Sequence, residues 1–201
     1  MDENFKDILA DTGEMALDSL IENEVIKEIP ILGTSLKVIK GIKNIRDKAY
    51  LNKIKRFVEC IGEIDEVKKR KLIEESRLDS KRRIKFGDAL FTSIEQSDSL
   101  AKVEYIAVAF EAFLNSELSE NDLRLICHVI RNSFTDELVD IIEKDTPELE
   151  LKYSVASGLA DIEYKELRVS MINTEPNYSI SHAAEQLRDA WRKYKTVPNN
   201  G

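Results

Sequence analysis

The stretch SDSLAKVEYIAVAFEAFLNSELSENDLRLICHVIR, Ser97 to Arg131, decides the fold class. Leu100, Val103, Ile106, Ala107, Phe110, Phe113 and Leu114 recur at helical spacing and make the most hydrophobic element of the chain. Such a helix belongs in a core. Its longest unbroken apolar run, Tyr105 to Phe110, is six residues, far short of the ~20 that cross a bilayer. Ser97 or Asp98 is placed to cap it. Ser119 with Asp122 has the form of a capping box and opens a second helix from Asn121 to Arg131, with Leu123, Ile126, Cys127 and Ile130 on one face.

Upstream, the same period continues. Asp79 or Ser80 can cap a helix through Ile84, Leu90, Phe91 and Ile94, after a highly charged stretch, Glu63 to Glu75, that carries the cluster KKRK at 68–71. Residues 29–58 form a basic amphipathic segment: Lys37, Lys40, Lys43, Arg46, Lys48, Lys53, Lys55 and Arg56 oppose Asp47 alone, a net of +7. Val38, Ile42, Ile45 and Ala49, then Tyr50, Ile54, Phe57 and Ile61, form an apolar stripe along a helix that runs from Thr34 or Ser35 to Cys60. Before it lies an acidic helix over 5–28, in a stretch whose net charge is −7, stopped near Ile29 by Pro30. The seven Gly and four Pro are few for an all-β protein. With 42% apolar residues in 201, the chain is long and apolar enough to bury a core.

Downstream, the pattern changes. Thr135 can cap a helix from Asp136 to Lys144, Pro147 opens a third short helix over 148–156, and Gly158 ends it. LADIEY and KELRVSMI then alternate like strands, a polar NTEPN turn and NYSIS follow, and Ser181 opens a last helix through Ala184, Leu187, Trp191 and Tyr194. Helix, helix, short helix, hairpin and helix is the element order of a winged helix-turn-helix. The expected fold is mainly α, with a helical N-terminal and middle region and a C-terminal winged-helix-like α+β unit carrying a small β-hairpin. The corresponding segments are 1–62, 63–118 and 119–201.

Five stretches resemble a loosely characterised group of bacterial cytoplasmic proteins often carried in variable or mobile gene neighbourhoods: IPILG at 29–33 with IRDKAYLNKIKRF at 45–57, FEAFLNSELSENDLRLI at 110–126, and VASGL at 155–159 with NYSIS at 177–181. The resemblance implies a winged-helix-like C-terminal part and a role in defence against phage. It brings no active site.

Catalytic and cofactor signatures are missing from the sequence. The glycines at 13, 33, 41, 62, 87, 158 and 201 fall at neither nucleotide-binding spacing. His128 and His182 are isolated, and Cys60 and Cys127 sit in apolar helical patterns as small hydrophobes. Cys127 and His128 are adjacent on a helix and diverge by about 100°. The acidic clusters lack a calcium-loop pattern and read as solvated faces. We therefore expect no enzyme activity, no cofactor and no metal.

What remains is interaction. The eight cations at 37–56 are the candidate interaction surface, with three uses: neutralisation by the acidic residues 1–28, contact with an anionic membrane surface, or contact with a protein or nucleic acid. The candidate recognition helix, PELELKYSVAS, carries Glu148 and Glu150 against Lys152, which disfavours duplex DNA. The expectation is a cytoplasmic interaction protein, an adaptor, regulator or sensor with a protein partner that includes a second copy of itself. A membrane-surface effector, peripheral at the membrane, and a DNA-binding regulator are the alternatives.

Overall fold

The apolar helix forms and is surrounded. In a computed structural model, which describes residues 45–61, 65, 67–68, 70–71, 89–144, 148–163 and 176–195, the elements are α1 (Ile45–Ile61), α2 (89–96), α3 (Leu100–Leu114), α4 (Glu120–Asn132), α5 (Thr135–Leu138), α6 (Glu148–Leu151), β1 (Ala160–Glu163), β2 (Asn177–Ile180) and α7 (His182–Tyr194). The described chain is mainly helical, with a two-stranded antiparallel sheet near its C-terminus. The acidic helix over 5–28, the start of the basic helix, the cap at Asp79 or Ser80 and the KELRVSMI stretch lie outside the described residues.

Eleven of the fifteen residues of α3 are buried, so it needs neighbours on several sides. On one side α1 lays Leu51, Ile54, Phe57, Val58 and Ile61, all buried, with the Phe57 and Phe110 rings 5.5 Å apart. On others lie α4 and α7, where the Tyr105 and Trp191 rings meet tilted by 31° with centroids 4.2 Å apart. Leu51 through Trp191 form one hydrophobic cluster, drawn from all three segments of the sequence. Each fully buried Leu, Ile or Phe contributes roughly 1.5–3 kcal/mol.

The helix ends show which polar groups are available. Ser99, not Ser97 or Asp98, caps α3, accepting from the Lys102 amide at 3.3 Å. Ser97 is committed to the end of α2, where its hydroxyl donates to the Ser93 carbonyl at 2.8 Å, and Asp98 instead receives the Lys102 ammonium at 2.9 Å. Ser116, with φ 61, holds the left-handed position after α3. The capping box of Ser119 and Asp122 is formed in both directions, and α4 starts at Glu120.

Two elements of the C-terminal part differ from expectation. Thr135 is the first residue of α5 rather than its cap: the Glu137 carboxylate closes back on the Phe134 amide at 2.7 Å, which leaves the Thr135 hydroxyl 3.1 Å from that of Ser99. The helix then widens into a π turn over Val139–Glu143, with the Lys144 amide bonded five residues back to Val139. A widened turn frees carbonyls from the regular ladder, and the Arg188 guanidinium of α7 takes that of Ile141, its Nε at 2.9 Å. Likewise α6 tightens into a 3-10 turn at Lys152–Ser154 instead of running to 156.

Gly158, with φ 84, then reverses the chain into β1. The strands pair Ala160 with Ile180 and Glu163 with Asn177. Ser181 locks the base of the pair: its hydroxyl donates to the Gly158 carbonyl at 2.7 Å and accepts from the Ala184 amide at 3.2 Å, capping α7, while its own amide bonds Leu159. VASGL and NYSIS, distant in sequence, meet here.

Gly158→Ala forces a side chain into left-handed backbone with its Cβ 3.2 Å from Val129 Cγ2, and a loss of about 1–3 kcal/mol in urea unfolding is expected. Arg188→Ala strips a charged donor from the Ile141 carbonyl and is expected to lower the same unfolding free energy by about 1.5–3 kcal/mol.

Candidate functional site

The basic segment is described from Ile45 onward, and α1 sorts its side chains by burial. Lys48 and Lys55 are exposed, Lys53 and Arg56 half-buried. Lys37, Lys40 and Lys43 and the side chain of Arg46 lie outside the described residues. Ala49 is exposed rather than part of the stripe. The buried face begins at Leu51, because α3 meets the helix along Leu51, Ile54, Phe57, Val58 and Ile61.

The half-buried cations are partnered from the core side. Lys53 Nζ donates to the Glu95 carbonyl at the end of α2, at 2.7 Å. Arg56 reaches Glu104 of α3, with Nε 2.9 Å and Nη2 2.5 Å from Oε1. The other oxygen of Glu104 receives Lys195 from the end of α7. One carboxylate thus joins α1, α3 and the residue that closes α7. Two turns further along α3, Glu111 pairs with Lys68 at 2.6 Å, both side chains largely buried, and Lys71 sits 5.0 Å above the Phe113 ring. Lys55 and Arg56 also lie 3.9 and 3.7 Å from Glu59. Neutralisation of α1 therefore comes from its own helix and from α3, while pairing with residues 1–28 falls outside the described residues.

Glu104 and Glu111 were the acids that charge totals concealed. They stand seven residues apart, hence on one face, in a helix that is otherwise almost wholly apolar. Carboxylates so placed require partners, and that spacing was the available signal. Asn115 extends the strip, donating to the Glu111 carbonyl and to the Tyr194 hydroxyl, each at 3.0 Å.

These contacts shift protonation. Burial pushes the Glu104 carboxyl up, but the hydrogen bonds and charges of Lys195 and Arg56 outweigh it and hold the group below the ordinary glutamate range. Burial raises the Cys60 thiol against the pull of Arg56, and pushes Cys127 to about 12. Both thiols are free, and both stay protonated near neutrality, which makes them poor nucleophiles. His128 turns away from Cys127: its Nδ1 lies 3.1 Å from Arg131 Nη2 and its Nε2 2.9 Å from the Asn132 amide.

A second feature lies on the C-terminal part. A cleft of about 510 Å³ between α5 and α6 is lined by the carboxylates of Asp136, Glu137, Asp140 and Glu150 against the single cation Lys152. Tyr153, also in its wall, is 73% exposed, and Lys152 Nζ lies 4.7 Å from its ring. Phe134, in the turn before α5, is 75% exposed. Among the described residues no group of three or more His, Cys, Asp and Glu side chains is arranged to hold a metal ion, and no helix is long and apolar enough to cross a membrane. No family model, curated protein or solved structure matches this chain.

Glu104→Gln leaves Arg56 and Lys195 without their carboxylate, and a loss of about 1–2 kcal/mol at pH 7 is expected. A carboxyl depressed in the folded state stabilises above its unfolded value, here the ordinary 4.5, and that stabilisation is lost as pH falls through the lower folded value. Urea midpoints of wild type and variant should accordingly differ at pH 7 and converge as pH falls below the folded value.

Proposed function

We propose that this chain is a non-enzymatic interaction protein, an adaptor or regulator that binds a partner protein through its C-terminal part. Residues 119–201 are, in this proposal, a winged-helix-like unit. The order α4, α5, α6, β1, β2, α7 supports it, as does the way Ser181 and Gly158 hold the strand pair against the start of α7. A role in a stress or phage-defence system rests on the resemblance of the five sequence stretches alone.

The observation that carries the proposal is the acidic cleft with the exposed Tyr153 in its wall, together with the exposed Phe134 just before α5. Large aromatic side chains anchor protein interfaces when buried by a partner, and Tyr153 and Phe134 are about three-quarters exposed here. Four carboxylates against Lys152 in the wall and Lys144, which pairs with Asp140 at 2.9 Å, leave a negative excess that favours a basic segment on that partner. The same charge repels phosphate, so protein is favoured over duplex DNA. Lys68 of the KKRK cluster is held against Glu111 inside the molecule, which also weighs against DNA. On α1 the apolar face is buried against α3, so a membrane-surface role for residues 45–61 requires the helix to leave the core first.

Co-purification from the native host with the full chain as bait, alongside sedimentation velocity, tests the proposal. A specific protein partner, or a second copy, is expected to bind wild type and to be weakened at least roughly tenfold by Tyr153→Ala and by Asp136→Lys with Asp140→Lys. An inert monomer, or a partner indifferent to both variants, contradicts it.

A further inference from the structure

We propose that the cleft between α2 and α4 binds a small organic anion, a carboxylate or phosphate group carried on a short apolar body. The cleft has a volume of about 390 Å³, within the range of small-molecule sites. It shares no lining residue with the acidic cleft, and the inference stands independently of the proposed protein contact.

Its two halves differ in chemistry. Leu90, Leu123 and the Cys127 thiol supply an apolar wall, and burial keeps that thiol neutral. Arg124 and Arg131 supply the positive charge, Thr92 a hydroxyl, and His128 a ring whose two nitrogens are both taken up by Arg131 and Asn132. No carboxylate is among the described residues lining it. The contrast with the α5–α6 cleft, where carboxylates dominate, is complete.

The state of the donors points to an anion. Arg131 makes its side-chain hydrogen bonds to neutral groups, Gln96 Oε1 at 3.2 Å and His128 Nδ1 at 3.1 Å. Because a guanidinium only donates, Nδ1 accepts, which puts the imidazole proton on Nε2 and the carbonyl oxygen of the Asn132 amide opposite it. His128 thus positions Arg131 without cancelling its charge. Arg124 Nε lies 3.3 Å from the Glu120 carboxylate but is not aligned to donate to it, and it is closed to solvent without a hydrogen-bond partner. Sealed beside Glu120, that nitrogen is out of a ligand's reach, and Arg131, which has no carboxylate partner among the described residues, is the cation the cleft presents to a small acceptor. The apolar wall opposite takes the body of the ligand.

The test is a titration of the isotope-labelled full chain, followed by amide chemical shifts, with hexanoate, hexyl phosphate, acetate, inorganic phosphate and 1-hexanol. Hexanoate or hexyl phosphate is expected to give saturable shifts at Leu90, Thr92, Arg124 and His128, at least roughly tenfold tighter than acetate, phosphate or hexanol. The better of the two identifies the anionic group. Arg131→Gln is expected to weaken that binding about tenfold or more, while Lys152→Gln leaves it unchanged. If Arg131→Gln loses the folded spectrum, Arg131→Met, which keeps the apolar stem and removes the charge, carries the same expectation. The inference is overturned if neither amphipathic anion saturates at these amides, if hexanol binds as tightly, or if binding persists in a folded arginine variant.

Discussion

The described fold depends on the burial of α3. A fifteen-residue helix with eleven buried positions cannot face water along any broad side, because each large apolar side chain left exposed forfeits roughly 1.5–3 kcal/mol. The chain answers by covering α3 with a helix from its N-terminal half, α1, with the helix that follows, α4, and with its last helix, α7. Segments far apart in sequence are therefore held as neighbours by one element. The aromatic contacts Phe57 to Phe110 and Tyr105 to Trp191 mark two of those joints.

The polar strip of α3 decides which neighbours fit. Glu104 and Glu111 would be costly in an apolar setting, so the helices that cover them must bring cations to the right heights. Arg56 and Lys195 do this at Glu104, and Lys68 at Glu111. Partly buried pairs of this kind add little net stability relative to apolar packing, yet removing one partner is expensive. Their effect is on register: α1 slid along α3 by one turn, about 5.4 Å, would separate Arg56 from Glu104. In the basic segment it is Arg56 that this fit explains, with Lys53 held by the Glu95 carbonyl of α2, while Lys48 and Lys55 stay exposed.

Most of the architecture was legible in local signals. The period of Leu100–Leu114, the capping box at Ser119 and Asp122, the cap at Ser181 and the turn at Gly158 are decided within a few residues, and each is formed. The features that escaped depend on tertiary contacts. Ser99 was passed over because only the structure reveals that Ser97 serves the end of α2. The π turn at Val139–Glu143 has no pattern of its own and is held by Arg188, 47 positions away. The phase of the apolar stripe slipped at Ala49 because two overlapping faces compete there, and only contact with α3 selects the one through Leu51 and Ile54. The two clefts were illegible for the same reason: their linings join α2 to α4 and α5 to α6.

Surface chemistry follows from that scaffold. With the aliphatic faces spent on α3, the described surface includes an acidic cleft with Tyr153 in its wall and an arginine-lined cleft beside α4. Native-state hydrogen exchange across a range of denaturant tests most directly whether α3 unites the molecule. If it does, the slowest amides of α1, α3 and α7 will share one opening free energy equal to that of global unfolding. Exchange of all α1 amides through a low-energy opening that leaves α3 and α7 protected would contradict it.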